Sequence, residues 1–309
     1  MNKQLHISVS PHIYSKTNTQ KIMLDVIIAL LPATAVGTWI FGLRSLAVIA
    51  VSVCCAVLSE FLFDLAVKKP NTISDLSAVV TGLLLALTLP ANIPLWQVGV
   101  GAVFSIVIIK GVFGGIGQNF ANPAITGRIF MLIAFGEMAK GAFPRVDTVS
   151  SATPLAVLEA GEKAGFDLVD MLIGTHGGAI GETATLALVV GGIYLIARKV
   201  IMFHTPVCFI ATVFLFTLIL TGDPYTSLLY TMGGGVFIGA IFMATDYATT
   251  PVMPLGKVIF GVLAGIITVL IRFYGNYPEG VSFAILLLNI LTPYIDRWTA
   301  KKPFGGDVK

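Results

Sequence analysis

The sequence predicts an all-α polytopic membrane protein with about ten transmembrane helices, arranged as two inverted five-helix repeats that include short or broken helices. Hydrophobic residues make up 56 % of the 309 residues and charged residues only 11 %. So few charges cannot cover the surface of a soluble protein of this size. Apolar segments of membrane length recur along the chain, and several positions recur between its two halves. A soluble protein is therefore excluded.

Ten apolar segments form two groups of five, separated by a polar stretch. The predicted spans are 22–41, 45–65, 76–90, 94–112, 121–136, 184–198, 203–221, 227–244, 256–272 and 281–296. The resulting division is an N-terminal segment (1–21), a first repeat (22–136), a loop (137–183), a second repeat (184–297) and a tail (298–309).

The positions of lysine and arginine predict the orientation in the lipid bilayer, because these residues concentrate in cytoplasmic loops. With a cytoplasmic N-terminus, 13 of the 19 basic residues lie at inner ends and 6 at outer ends. Both termini are then cytoplasmic, and the loop 137–183 lies outside with 3 basic and 7 acidic residues. We expect a multi-pass protein of the cell (inner) membrane.

A set of identical residues indicates an internal repeat. The pairs, all at an offset of 157, are Gly82 and Gly239, Thr88 and Thr245, Pro94 and Pro251, Gly99 and Gly256. Because five spans is an odd number, the second repeat is predicted to be inverted. The short or glycine-interrupted segments 76–90 and 227–244 point to a site between the repeats. The alternative is that these glycines only allow close helix packing.

The residues predict no catalytic acid or base and no metal site. The four histidines have no metal-binding spacing, and no phosphate loop, dinucleotide fingerprint or nucleophile elbow occurs. A net charge of +3 gives no indication of nucleic-acid binding. Most carboxylates near the membrane fall at span ends, where they can stay hydrated. Asp246 is the exception, since it ends one of the paired short segments.

The outer loop contains the most informative local sequence, Asp-Thr-Val-Ser-Ser-Ala-Thr-Pro at 147–154. Taken as residues alone, it is compatible with an ordinary helix N-cap or turn. It also resembles the flavinylation motif Asp-x-x-Ser/Thr-Gly/Ser-Ala-Thr, whose final threonine a dedicated flavin transferase esterifies with FMN. The resemblance implies a cofactor site at Asp147, Ser150, Ser151, Ala152 and the covalent FMN acceptor Thr153.

Three further segments carry a wider resemblance. Residues 114–124 (Gly-Gly-Ile-Gly-Gln-Asn-Phe-Ala-Asn-Pro-Ala), 243–251 (Met-Ala-Thr-Asp-Tyr-Ala-Thr-Thr-Pro) and 272–280 (Arg-Phe-Tyr-Gly-Asn-Tyr-Pro-Glu-Gly) are similar to segments of the RnfD/NqrB family. They occur in the family's order, and the similarity covers essentially the whole chain. The family belongs to ion-translocating electron-transport complexes of bacterial and archaeal membranes.

The resemblance implies an electron relay between ferredoxin and NAD⁺, coupled to Na⁺ or H⁺ movement. It also implies a second, non-covalent flavin, riboflavin, toward the inner face. The implied partners are the A, B, C, E and G subunits of an Rnf-type complex and the flavin transferase. We expect Asn119, Asn122 and Asp246 to converge on the riboflavin. For the asparagines, satisfying the backbone of broken helices is an equal alternative.

Two other classes of protein fit part of the pattern. Inverted repeats, broken helices and high glycine content are typical of a channel or a secondary transporter without a redox cofactor. A scaffold protein without a cofactor leaves the 147–153 motif unexplained. The motif and the family resemblance together favour the flavin-carrying electron relay.

Overall fold

The computed structural model describes residues 18–136, 154–159, 168–183, 185–275 and 280–301. These residues form helices and connecting segments, with no β-strand in the described ranges. The helices are α1 (Thr19–Phe41), α2 (Leu43–Val67), α3 (Ser77–Leu87), α4 (Leu95–Gly111), α5 (Pro123–Ala134), α6 (Pro154–Glu159), α7 (Leu168–Ile173), α8 (Thr185–Ala197), α9 (His204–Thr221), α10 (Pro224–Met232), α11 (Val236–Met243), α12 (Pro254–Tyr274) and α13 (Gly280–Thr299).

Each of the ten predicted spans contains a helix, and the all-helical membrane character is confirmed. Among the described residues, α1, α2, α9 and α12 are long and apolar enough to cross a membrane. The pair α10 and α11, bent by 63°, would make a fifth span. The helices α3, α4, α5 and α8 are apolar but shorter. Ten crossings therefore remain a prediction.

The two short segments of the predicted repeat end in the same way. Thr88 follows α3 and its Oγ1 donates to Leu85 O at 2.7 Å, and Thr245 follows α11 and donates to Ile241 O at 2.6 Å. Each threonine hydroxyl therefore donates to a carbonyl in the last turn of its helix, and Leu85 O also accepts from Thr88 N at 3.0 Å. Both α4 and α11 also end in π-helical turns, Phe104–Gly111 and Gly239–Met243.

Two pairs of helices run parallel. In the first half, Gly99 of α4 lies against Cys55 of α2, and Gly111 lies against Phe63 further along both helices. In the second half the same order holds for α12 and α9, with Gly261 against Thr205 and Gly265 against Thr212. Two helices can run parallel only if the chain between them runs back. In the first half this return is α3, and in the second half it is the bent pair α10 and α11.

The first helices of the two halves, α1 and α8, run antiparallel. Asp25 near the start of α1 accepts hydrogen bonds from Tyr194 Oη at 2.9 Å and Arg198 Nη2 at 3.2 Å, at the end of α8. Further along α1, Gly191 packs on the Ala29 carbonyl. Increasing residue numbers in α1 thus meet decreasing numbers in α8, and the glycine lets the two backbones approach closely.

The α1–α8 contact is tested by Gly191→Leu. A Cβ at this position would lie 2.2 Å from Ala29 O, so the larger side chain must push the helices apart. We expect stability to fall by roughly 1–3 kcal/mol, seen as a lower melting temperature of the detergent-purified protein. Gly136→Leu is the control, because a Cβ there meets nothing within 4 Å. Equal melting temperatures for the two variants would contradict the contact.

Candidate functional site

A cavity lies between the two halves of the chain, with an empty volume of about 800 Å³ that includes space open at its mouth. Its walls are largely apolar and come from both halves: Val80 and Leu84 on α3, Leu195 on α8, and Phe242 on α11. The π-helical turns of α4 and α11 both reach the cavity, through Lys110 and Phe242. Such turns are frequent at functional sites.

The three residues predicted to converge, Asn119, Asn122 and Asp246, all line this cavity. The asparagines belong to the segment that joins α4 to α5, and Asp246 follows α11 in the second half. The structure therefore brings together polar side chains that lie more than a hundred residues apart in sequence.

Asn122 is largely committed to the backbone. It caps α5, with Oδ1 accepting from Ala124 N at 3.0 Å and Ile125 N at 3.3 Å, and its Nδ2 donates to Met243 O at 3.5 Å. With its amide oriented to satisfy its neighbours, Asn289 of α13 also accepts from Asn122 N at 3.0 Å. Asn122 thus joins the start of α5 to the end of α11, which is the structural role expected of an asparagine at a broken helix.

Asn119 keeps capacity for a ligand. Its side chain is buried and its Nδ2 donates to Ala121 O at 3.1 Å. Its Oδ1 accepts no hydrogen bond from a described residue, so this oxygen can accept one from a bound molecule. Asp246, from the second half, accepts from Ala248 N at 3.4 Å and Thr249 Oγ1 at 3.1 Å.

A buried ion pair forms part of the cavity wall, and the sequence reasoning did not find it. Lys110 donates to Glu60 Oε1 at 2.6 Å and to Ser77 Oγ, and the lysine and glutamate side chains are 6 % and 5 % exposed. Glu60 also accepts from Thr72 Oγ1 at 2.8 Å. The sequence placed Glu60 at a hydrated span end, whereas the structure buries it. Pairing and hydrogen bonding at Oε1 offset part of the cost of that burial, whereas Oε2 is buried without a partner among the described residues.

Away from the cavity, two buried arginines, Arg272 and Arg128, contact the bend between α10 and α11. Arg272 donates to Tyr230 O at 2.5 Å and to Gly233 O at 3.1 Å, carbonyls left by the end of α10. Arg128 pairs with Glu182 at 3.4 Å beside Gly235. The guanidinium groups thus supply donors and charge where helical hydrogen bonding is interrupted.

The helix α6 packs on the same bend. It begins at Pro154, and Leu155 is buried against Gly233 and Gly234, close to the Arg272 guanidinium. The residues of the predicted flavinylation site lie outside the described residues: Asp147, Ser150, Ser151, Ala152 and Thr153. The described chain resumes immediately after them, at α6.

The sequence reasoning also missed the role of residues 174–183, which it included in the outer loop. Ile180 N donates to Leu89 O at 3.0 Å and Gly181 N donates to Leu87 O at 2.7 Å. This segment therefore supplies backbone donors to carbonyls at the carboxyl end of α3. His176 is buried here, and burial lowers the pKa of its imidazole. The run of glycines at 177, 178 and 181 was the available signal, because glycine suits close backbone approach.

The Lys110–Glu60 pair can be tested by a double-mutant cycle. Lys110→Met leaves a buried carboxylate without its counter-ion, and we expect a loss of about 3–5 kcal/mol in stability. Lys110→Met combined with Glu60→Gln should recover most of it, because no uncompensated charge remains. Thermal unfolding of the purified variants measures both effects. Strictly additive losses would show that the two side chains are not coupled in the folded protein.

Comparison with known proteins identifies the family to which the chain is similar. A family model described as the NQR2, RnfD, RnfE family matches residues 6–305. The chain is 47 % identical to the D subunit of the Na⁺-translocating ferredoxin:NAD⁺ oxidoreductase complex of Acetobacterium woodii, over 97 % of this chain and 95 % of that protein. It is 41 % identical to the D subunit of the proton-translocating ferredoxin:NAD⁺ oxidoreductase complex of Clostridium ljungdahlii, over 97 % and 96 %. Identity to the D subunit of the ion-translocating oxidoreductase complex of Actinobacillus succinogenes is 35 %, over 97 % of each chain.

Proposed function

The chain belongs to the NQR2, RnfD, RnfE family, and we propose that it is the D subunit of an ion-translocating ferredoxin:NAD⁺ oxidoreductase complex of the cell membrane. Nearly full-length identity of 47 % and 41 % to two proteins of that name carries the proposal. The apolar helices agree with a membrane-embedded protein. One of these relatives is named for Na⁺ and the other for protons, so the proposed coupled ion is Na⁺ or H⁺.

We further propose that the chain carries two flavins: FMN as a phosphoester on Thr153, and non-covalent riboflavin in the cavity between the halves. Flavins supply the electron-transfer chemistry, and the protein sets their position and surroundings. The motif at 147–153 supports the first site and the cavity supports the second. Nothing in this role requires a catalytic acid or base from the protein.

The residues of the cavity fit a planar, largely apolar ring with polar edges. Its empty volume falls in the range of about 300–1,000 Å³ that is usual for small-molecule sites. Leu84 and Phe242 offer apolar contact, and Asn119 Oδ1 can accept a hydrogen bond from the ring edge. The buried Lys110 ammonium, held by Glu60, places positive charge in the same wall.

The proposed topology is ten crossings in two inverted repeats, with both termini cytoplasmic. The antiparallel arrangement of α1 and α8 supports inversion, and the parallel pairs α2 with α4 and α9 with α12 support an equivalent frame in each half. The cavity then lies toward the inner side, because Ile22 and Met23 near the start of α1 line it. In this proposed topology the flavinylation motif belongs to the outer side, because α6 follows it directly in sequence and packs on the α10–α11 bend.

Two flavins near opposite faces would divide a bilayer of about 30 Å into shorter electron transfers. This provides a physical reason for one chain to hold two of them. The proposed partners are the A, B, C, E and G subunits, and the flavin transferase that modifies the outer loop. The family coverage and the names of the relatives support assembly in a complex.

Thr153→Ala tests the covalent site. We expect the denatured wild-type chain to fluoresce in a gel under ultraviolet light, because an esterified flavin survives SDS, and the alanine variant to be dark. Mass spectrometry of the peptide 146–155 should show one FMN less one water on Thr153. Ferredoxin-dependent NAD⁺ reduction by the purified complex should fall to background, since one relay position is missing.

Two controls accompany this variant. Thr153→Ser keeps a hydroxyl and should retain some flavin, whereas Thr148→Ala should leave fluorescence unchanged because it lies outside the acceptor position. An unmodified Thr153 from cells that contain the transferase would refute the site. A chain without flavin that still moves ions would favour the channel or transporter alternative.

Asn119→Leu tests the riboflavin site. The substitution removes a carboxamide oxygen that accepts no hydrogen bond from a described residue, and we expect at least a tenfold loss of extractable riboflavin, from loss of about one buried hydrogen bond. Asn92→Leu is the matched control, since Asn92 is exposed and far from the cavity. Acid extraction followed by chromatography measures riboflavin per chain. Unchanged riboflavin in a folded Asn119→Leu complex would contradict this location.

A further inference from the structure

A second pocket adjoins the proposed riboflavin cavity, with an empty volume of about 500 Å³. Four residues line both spaces: Val200, Ile201, Thr245 and Tyr247. We call it the lysine pocket, defined by Lys199, Lys257, Thr205 and Thr250, which line it and not the riboflavin cavity. Its lining includes no carboxylate, so two cationic side chains face a space without an opposing charge.

Neither lysine is engaged in a direct ion pair with a described residue. The side chains of Lys199 and Lys257 form no ion pair or hydrogen bond with a described residue. Asp296 attracts Lys257 electrostatically, but its Oδ1 accepts a hydrogen bond from Val252 N at 3.0 Å. The Lys257 ammonium therefore has hydrogen-bond donors that no described residue uses, although the Asp296 carboxylate lies in its electrostatic surroundings.

A buried hydroxyl in this pocket also has no partner. Thr205 is 2 % exposed, and its Oγ1 makes no hydrogen bond to any described residue. The other lining hydroxyls are occupied: Thr250 donates to Asp246 O at 2.6 Å, and Tyr247 donates to Val200 O. The Thr205 hydroxyl lines the pocket, so it can form a hydrogen bond with a molecule bound there.

Two long helices begin at the pocket. Thr205 lies in the first turn of α9 and Lys257 at the start of α12, and the two helices run parallel. Their amino ends therefore direct partial positive charge to the same region. Free backbone N–H groups at helix amino ends are suited to phosphate groups.

We propose that the lysine pocket binds a phosphate ester, held by Lys199, Lys257 and Thr205. Two chemical sources present this group at the same place. One is the headgroup of an inner-leaflet phospholipid, whose acyl chains would contact the exposed apolar residues Met202, Phe203 and Leu255. The other is the phosphate of a flavin mononucleotide whose ring would occupy the adjoining cavity in place of riboflavin. Only this second source rests on the proposed function.

The test is native mass spectrometry of the full chain purified in detergent, titrated with two matched pairs of probes. Phosphatidylglycerol is compared with diacylglycerol, and riboflavin 5′-phosphate with riboflavin, so that each pair differs by a phosphate-containing group. We expect at least one phosphate-bearing probe to bind at least tenfold more tightly than its neutral counterpart. The pair that shows the difference identifies the source.

Lys199→Gln combined with Lys257→Gln should abolish that difference, and Thr205→Val should reduce it while leaving both charges in place. Lys301→Gln removes an exposed positive charge outside the pocket and should have no effect. Melting temperatures of all variants report folding. Equal binding of phosphate-bearing and neutral probes by the wild type, or a phosphate preference that survives in the double-lysine and threonine variants, overturns the proposal.

The two proposals fail separately. A chain that lacks riboflavin but binds phosphatidylglycerol through Lys199 and Lys257 would refute the cavity assignment and support the phosphate site. A chain that retains riboflavin but shows no preference for phosphate-bearing probes would support the cavity assignment and refute the phosphate site.

Discussion

The need to satisfy backbone hydrogen bonds without water governs this structure. A helix that ends inside a bilayer leaves carbonyl and amide groups that only protein atoms can pair. Here α3 and the bent pair α10 and α11 end at positions buried in the protein, where water is equally absent. The amides of Ile180 and Gly181 donate to carbonyls at the end of α3, and the Arg272 guanidinium donates to carbonyls at the end of α10. The Thr88 hydroxyl adds a second hydrogen bond to Leu85 O. The arginine at the bend and the loop inserted against α3 are consequences of breaking the helices.

The broken helices are also what allows a cavity to form between the halves. Where α11 ends, the chain turns through Asp246 and lines a space that a continuous helix would fill. Asn122 then connects the two halves by capping α5 and reaching the last carbonyl of α11. Residues that satisfy backbone hydrogen bonds at the broken helices therefore also line the proposed riboflavin site. A structural role for such a residue does not exclude a role in binding.

Much of this arrangement was predictable from the sequence, because membrane solvation constrains composition and segment length strongly. The ten apolar segments, the short helices at 76–90 and 227–244, and the meeting of Asn119 with Asp246 follow from pattern and resemblance. The ion pair of Lys110 with Glu60 was not predictable, since no local pattern indicates which distant charges pair. Residues 174–183 were assigned to a loop because their polarity is that of a loop, although their glycines allow them to pack on α3.

The π-helical end of α4 has a consequence for which residues face the cavity. A π turn accommodates an additional residue, so side chains beyond it are rotated about the helix axis by roughly 100° relative to an uninterrupted α-helix. Lys110 lies within this turn, and its orientation toward Glu60 depends on that rotational register. Removing one apolar residue from Phe104–Gly111 would turn the ammonium away from its carboxylate, although both charged residues would still be present. Segment length here is thus a constraint as strict as residue identity.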